Sequence, residues 1–144
     1  MDNDSPLFSA MDVEEGLLSI LINYPSVLDG DFAYIPGGGL ARFPGAAGYL
    51  EVTDFASAAN GVIYTAIIAL HDRGDAIDYL AIVGELSTRL IAAGGRERVS
   101  HIAALQPDPH LYYTYLRLIL RAWATRQLST LEKQLGPAVA SGDN

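Results

Sequence analysis

The chain of 144 residues has no cysteine, which excludes disulfide staples, thiol nucleophiles and every cysteine-ligated metal site. Its three histidines, His71, His101 and His110, fall on separate stretches without the i, i+4 or clustered spacing that a metal centre needs. Basic charge is scarce. Eight arginines and the single Lys133 stand against 17 acidic residues, for a net charge of −8. Such a surface repels a phosphate backbone, so strong direct nucleic-acid binding is not expected. No apolar run approaches the roughly 18 residues of a spanning helix. The start, MDNDSPLFSA, is acidic where a secretory leader is basic. The expectation is a cytoplasmic protein without a membrane role.

Catalytic signatures are missing as well. A phosphate loop needs glycines followed by Gly-Lys-Ser/Thr, and here Gly37-Gly38-Gly39 runs into Leu40, Ala41 and Arg42. Glu14-Glu15 is the adjacent acid pair at a helix start, where carboxylates favour the helix dipole. Consecutive helical residues point about a hundred degrees apart, so the pair cannot flank one substrate bond. Asp72, Asp75 and Asp78 lack the twelve-residue calcium pattern and read as turn and cap residues, as does Arg73-Gly74-Asp75. No catalytic residue, cofactor or metal is expected.

What is present is apolar: half the residues are hydrophobic and 18% are charged, far from a disordered composition and sufficient for one compact core. Helical spacing recurs along the chain. Val13, Leu17, Ile20 and Leu21 define a first helix capped by Asp12 and stopped before Pro25. Ile63, Ala66, Ile67 and Leu70 define a second, closed by Gly74. Asp78 caps a third, with Tyr79, Ile82, Val83, Leu86 and Leu90, which Gly94-Gly95 closes. A shorter helix carries Val99, Ile102 and Leu105. Asp108 then caps, and Pro109 takes the first position of, a helix from about His110 to Leu135. The expected fold is all-α, a compact bundle of about five main helices with a long C-terminal helix. Residues 1–11 read as a flexible arm, 12–135 as the helical domain and 136–144 as a flexible tail.

Residues 30–50 hold six of the fourteen glycines and two of the seven prolines, a composition that breaks helix and strand alike. This Gly-rich insertion is a long loop or an irregular hairpin. Its Phe32, Tyr34, Ile35, Leu40, Phe43 and Tyr49 are too apolar for an idle linker. They pack on the body or meet a partner.

The last helix is apolar on two sides: Leu111, Tyr115, Leu118, Ile119 and Ala122 on one, Tyr112, Leu116, Leu120 and Trp123 on the other. One side serves the core, and the second calls for another burial partner. Arg117 and Arg121, an i, i+4 pair beside Tyr113 and Trp123, suit either an interface hot spot or a solvated face. The candidate interface is therefore Tyr112, Tyr113, Leu116, Arg117, Leu120, Arg121 and Trp123.

Taken in order, these residues resemble the N-terminal domain of the DnaB-type bacterial replicative helicase. Asp12-Val13-Glu14-Glu15 running into LLSILINYP resembles the family's acidic, leucine-rich first helix, with Ser19 where a glycine is usual. DFASAANGVIYTAIIALHDRGDAIDYLAIVGEL resembles the family's phenylalanine, helix, Gly-x-x-Ile-Asp turn and following helix, through Phe55, Gly74, Ile77, Asp78, Ile82 and Leu86. Gly94-Gly95, Ile102-Ala103-Ala104-Leu105, Pro107 and YYTYLRLILRAWATRQL continue the likeness to about residue 135. The 30–50 stretch is longer than the family's usual connection, and the family follows its long helix with a hairpin partner and an ATPase domain. The resemblance implies a non-catalytic interaction domain that self-associates into a dimer or a ring collar and docks the C-terminal domain of primase or a helicase loader. A second reading is a free-standing phage or mobile-element adaptor or inhibitor that mimics this domain.

Overall fold

A computed structural model describes residues 10–29, 33–34, 40–41 and 46–142 of the chain. The first helix, α1 (Ala10–Asn23), is the centre of the molecule. Val13, Glu14 and all residues from Gly16 to Ile22 are buried, the pattern of a helix enclosed by neighbours rather than lying on a surface. It begins two residues before Asp12, which therefore stands inside the helix and is not its cap. Ala10 is the best helix former and extends the first turn. Tyr24 leaves the helical region (φ −135°, ψ 67°), and Pro25 opens a short 3₁₀ turn, Pro25–Leu28, because its ring fits a first helical position but not a helix interior.

The Gly-rich segment contains an antiparallel pair of two-residue strands, β1 (Ala33–Tyr34) and β2 (Leu40–Ala41), with Ala33 opposite Ala41. A single turn of helix, α2 (Ala46–Tyr49), follows. Strand β1 lies against the last helix and the 3₁₀ turn before it, so part of the insertion's backbone folds onto the body. The side chains of Phe32, Tyr34, Ile35, Leu40, Phe43 and Tyr49 lie outside the described residues.

Helix α3 (Ala58–Arg73) starts at Ser57, whose hydroxyl accepts from Asn60 N at 3.3 Å. It ends at Gly74, φ +76°, where Gly74 N–H reaches the His71 carbonyl and Asp75 N–H the Leu70 carbonyl, the paired bonds that close a helix end. Asp78 caps α4 (Tyr79–Leu86) by accepting from Ala81 N at 2.8 Å. This helix is shorter than expected. It stops at Leu86, Ser87 takes φ +48°, and a 3₁₀ turn, Ser87–Arg89, carries the chain on. Between Leu86 and Ala93 no residue is fully buried, and Leu90 is only half buried, so little packing holds a further α-helical turn there. Gly94 and Gly95, φ +99° and +87°, accordingly close the turn at Leu90 rather than α4, and Gly95 opens α5 (Gly95–Leu105).

Asp108 Oδ1 accepts from His110 N at 2.9 Å, and Pro109 begins a 3₁₀ turn that leads into α6 (Tyr112–Gly142). The helix extends past Leu135, through Gly136 and Pro137, over most of the stretch expected to be a loose tail. Pro137 removes one hydrogen bond of many in a helix this long. Five main helices, α1, α3, α4, α5 and α6, thus make an all-α fold, with α1 wrapped by α3, α5 and α6.

Candidate protein-interaction surface

Helix α6 spans 31 residues, about 46 Å at 1.5 Å per residue. Its first turns are anchored. Tyr112, Leu116 and Ile119 are each only 2% exposed and pack with α1, at the i, i+4, i+7 positions of a single face. Tyr112 and Leu116, expected on an outer stripe, therefore belong to the core. The face turned toward α1 draws on both apolar sides, Tyr112 and Leu116 from one and Ile119 from the other, with Tyr115 set against Gly16 of α1. A Cβ on Gly16 would stand 2.7 Å from Tyr115 Cε2, so the glycine admits the Tyr115 ring and the helices approach closely. Burial pushes the Tyr112 phenol up to about 12, and its enclosed hydroxyl has no hydrogen-bond partner among the described residues.

The remaining interface candidates lie nearer solvent. Tyr113, Leu120 and Trp123 are half buried, and Arg117 and Arg121 are exposed. The Arg117 guanidinium sits over the Tyr113 ring, 5.4 Å from its centroid. Beyond Arg126, whose Nη2 donates to the Asp54 carbonyl at 2.9 Å, every residue from Gln127 to Leu135 is exposed. Leu128, Leu131 and Leu135 are 62%, 48% and 52% exposed. Their spacing of three and four residues is that of a coiled-coil seam. The stripe read from the sequence ended at Trp123 and missed them, although the leucine spacing was the signal.

A polar cluster also escaped the sequence reading. Glu14 is 1% exposed and Asn60 fully buried. Glu14 accepts from Ala56 N at 2.5 Å, Ser57 N at 3.3 Å and Asn60 Nδ2 at 2.8 Å. Asn60 Oδ1 accepts in turn from Arg98, which also pairs with Glu15 Oε2 at 3.1 Å and donates to the Ala93 carbonyl. The two glutamates thus face different partners. Each is committed to hydrogen bonds that join α1, α3 and α5, a role of assembly rather than acid–base chemistry. At the opposite end of α1, His71 Nε2 lies 2.8 Å from Asp29 Oδ1. That hydrogen bond, above all, raises the His71 pKa. Nδ1 is 3.5 Å from Asp72 Oδ1, an ion-pair distance rather than a second hydrogen bond. Among the described residues no three His, Asp or Glu side chains are grouped to hold a metal, and no helix is long and apolar enough to cross a membrane.

The family model of the DnaB-like helicase N-terminal domain matches residues 41–121, more than half of the chain. The chain belongs to this family. The DnaB N-terminal domain is the non-catalytic part of a replicative DNA helicase, in keeping with the missing phosphate loop. The fold is similar to the crystal structure of the N-terminal domain of DnaB helicase from Mycobacterium tuberculosis, with a TM-score of 0.74 at 18% identity, covering 96% of this chain and 89% of that one. No curated protein matches the chain.

Proposed function

We propose that this DnaB-type domain works as an interaction module in DNA replication, self-associating through α6 and docking primase or a helicase loader on its globular body. The observation that carries the reading is the distal half of α6, where Leu128, Leu131 and Leu135 project without cover from the described chain. An apolar stripe at this spacing is stabilised by a facing helix. Burying a leucine fully contributes about 1.5–3 kcal/mol. These leucines are already about half covered, so three from each copy supply about 5–9 kcal/mol, against an association cost of about 4–15 kcal/mol. The seam alone supports a weak dimer, to which Trp123, Leu120 and the Arg117–Tyr113 stack add further contact.

Sedimentation across a concentration series tests the first half. The mass should rise with concentration, and Leu131→Glu or Trp123→Glu should hold it at the monomer; a monomer at every concentration sinks the proposal of self-association. Calorimetric titration with the C-terminal domain of primase tests the second. Saturable binding supports docking, and its absence with folded protein removes primase as the partner.

A further inference from the structure

Along the edge between α1 and α6 runs a groove of about 480 Å³, with Val13, Ala56, Ile119 and Ala122 among its apolar walls and Arg121 and Arg126 at its border. Its volume lies within the range of about 300–1,000 Å³ typical of ligand-sized clefts. The small side chains of Ala56 and Ala122 leave room for an incoming backbone to come close. Leu118, Ala122 and Thr125 share this side of α6 at intervals of four and three residues, so the wall is long and continuous rather than a single dimple.

Among the described residues, the charged side chains that line the groove are both arginines. In a chain with 17 acidic residues and eight arginines, carboxylate partners are abundant, and Arg73 and Arg98 both take them. Arg121 and Arg126, like Arg89, Arg96 and Arg117, form no ion pair among the described residues, and Arg126 donates to the Asp54 carbonyl; of these five, Arg121 and Arg126 are the two that line the groove. Among the described acids close in sequence to Val13 and Ala56, Glu14 and Asp54 are turned inward. Glu14 is committed to Ala56, Ser57 and Asn60, and Asp54 Oδ2 accepts from Glu51 N at 2.7 Å. An apolar channel bordered by two guanidinium groups that form no ion pair among the described residues, on a chain of net charge −8, is complementary to a segment that is apolar on one face and anionic beside it.

We infer that this groove docks an acidic amphipathic helix of a partner protein, with apolar side chains entering between α1 and α6 and a carboxylate engaging Arg121. The inference deepens the docking half of the proposed function and rests on it, but it does not require the partner to be primase. Failure of the primase titration therefore removes one partner, whereas failure of the test below removes the groove.

The probe is a labelled helical peptide of about 16 residues carrying leucines at i, i+3, i+4 and i+7 with flanking glutamates, and a twin with lysines in their place. Anisotropy titrations at about 0.1 M salt, where pairing across an interface is only partly screened, should show the glutamate peptide binding and the lysine twin failing. Arg121→Glu should weaken binding by about tenfold or more. Arg89→Glu makes the same change of charge at an exposed site in the turn after α4, outside the groove, and should have little effect. Ala122→Phe, which fills the channel, should abolish binding while the helical circular dichroism is retained. Equal binding of both peptides, equal losses in the two arginine variants, or no binding at all would overturn the inference. So would Arg121→Glu lowering the sedimentation mass of the protein itself without any peptide binding, which would assign the groove to a second copy.

Discussion

Glu14 on α1 and Asn60 on α3 meet in the centre of the molecule, Glu14 Oε1 accepting from Asn60 Nδ2 at 2.8 Å, with both side chains almost wholly removed from solvent. A carboxylate in that position is tolerated only because two backbone N–H groups, of Ala56 and Ser57, point at it as well. Glu14→Gln keeps the shape but turns an amide donor toward one of these donors. We expect a loss of about 2–3 kcal/mol in urea unfolding, since a buried polar group left unpaired costs about 1–3 kcal/mol. Glu15→Gln, at the half-buried Arg98 pair, should cost less than half as much. Equal losses would show that the two neighbours are not divided as the geometry has them.

The contact of Gly16 with Tyr115 sets how closely α6 lies on α1. Gly16→Ala gains about 1 kcal/mol of helix propensity, but its Cβ meets the ring at 2.7 Å, and overpacking typically costs about 1–3 kcal/mol. The ring must tilt, so Gly16→Ala should be neutral to destabilising by about 1 kcal/mol, and Gly16→Val clearly worse. Combining Gly16→Val with Tyr115→Leu should recover part of the loss in a double-mutant cycle. Purely additive effects would show that the two residues are not coupled.

Local chemistry was largely legible, and long-range pairing was not. Asp78 before an apolar run, Gly74 after one, and Asp108-Pro109 ahead of another are signals carried within four residues of the bond they make. The burial of Glu14 depends on Asn60, 46 residues away, and on Arg98 beyond it, and no local pattern encodes that meeting. The inner face of α6 was undecidable for a related reason. The buried face takes Tyr112 and Leu116 from one apolar side and Ile119 from the other, and the close approach that seats it depends on Gly16 of another helix, beside Tyr115. Ser19 stands where the resembling family usually has glycine, and a purpose emerges only in three dimensions: its Oγ accepts from Gln106 N at 3.0 Å, where the chain leaves α5 with φ +44° at Gln106.

The His71–Asp29 bond ties the end of α3 to the turn after α1 and makes stability depend on pH. An unfolded histidine titrates near 6.5; in the fold, Asp29 holds the proton more tightly and raises that value. The stabilisation is therefore fully present below about 6.5 and fades as pH rises through the higher folded value. Thermal unfolding of the wild type and Asp29→Asn should differ most near pH 5.5 and converge as pH rises above the folded value, where the imidazole is neutral in both states. A gap that stays constant over this range would show that the pair does not titrate as a unit.

Arg98 presents one planar group to three acceptors on separate parts of the fold: Asn60 Oδ1 on α3, Glu15 on α1 and the Ala93 carbonyl in the turn before α5. A lysine keeps the charge but has a single point of attachment on a flexible stem and cannot span these directions at once. Arg98→Lys should therefore behave as a loss of hydrogen bonds rather than of charge, destabilising by about 1.5–3 kcal/mol for bonds to charged groups. The same variant should raise hydrogen exchange at Gly95 and Val99, because α5 loses its tie to α1 and α3, while exchange within α6 stays slow. Uniform acceleration over the whole chain would instead mark Arg98 as a determinant of global stability alone, with no particular hold on the docking of α5.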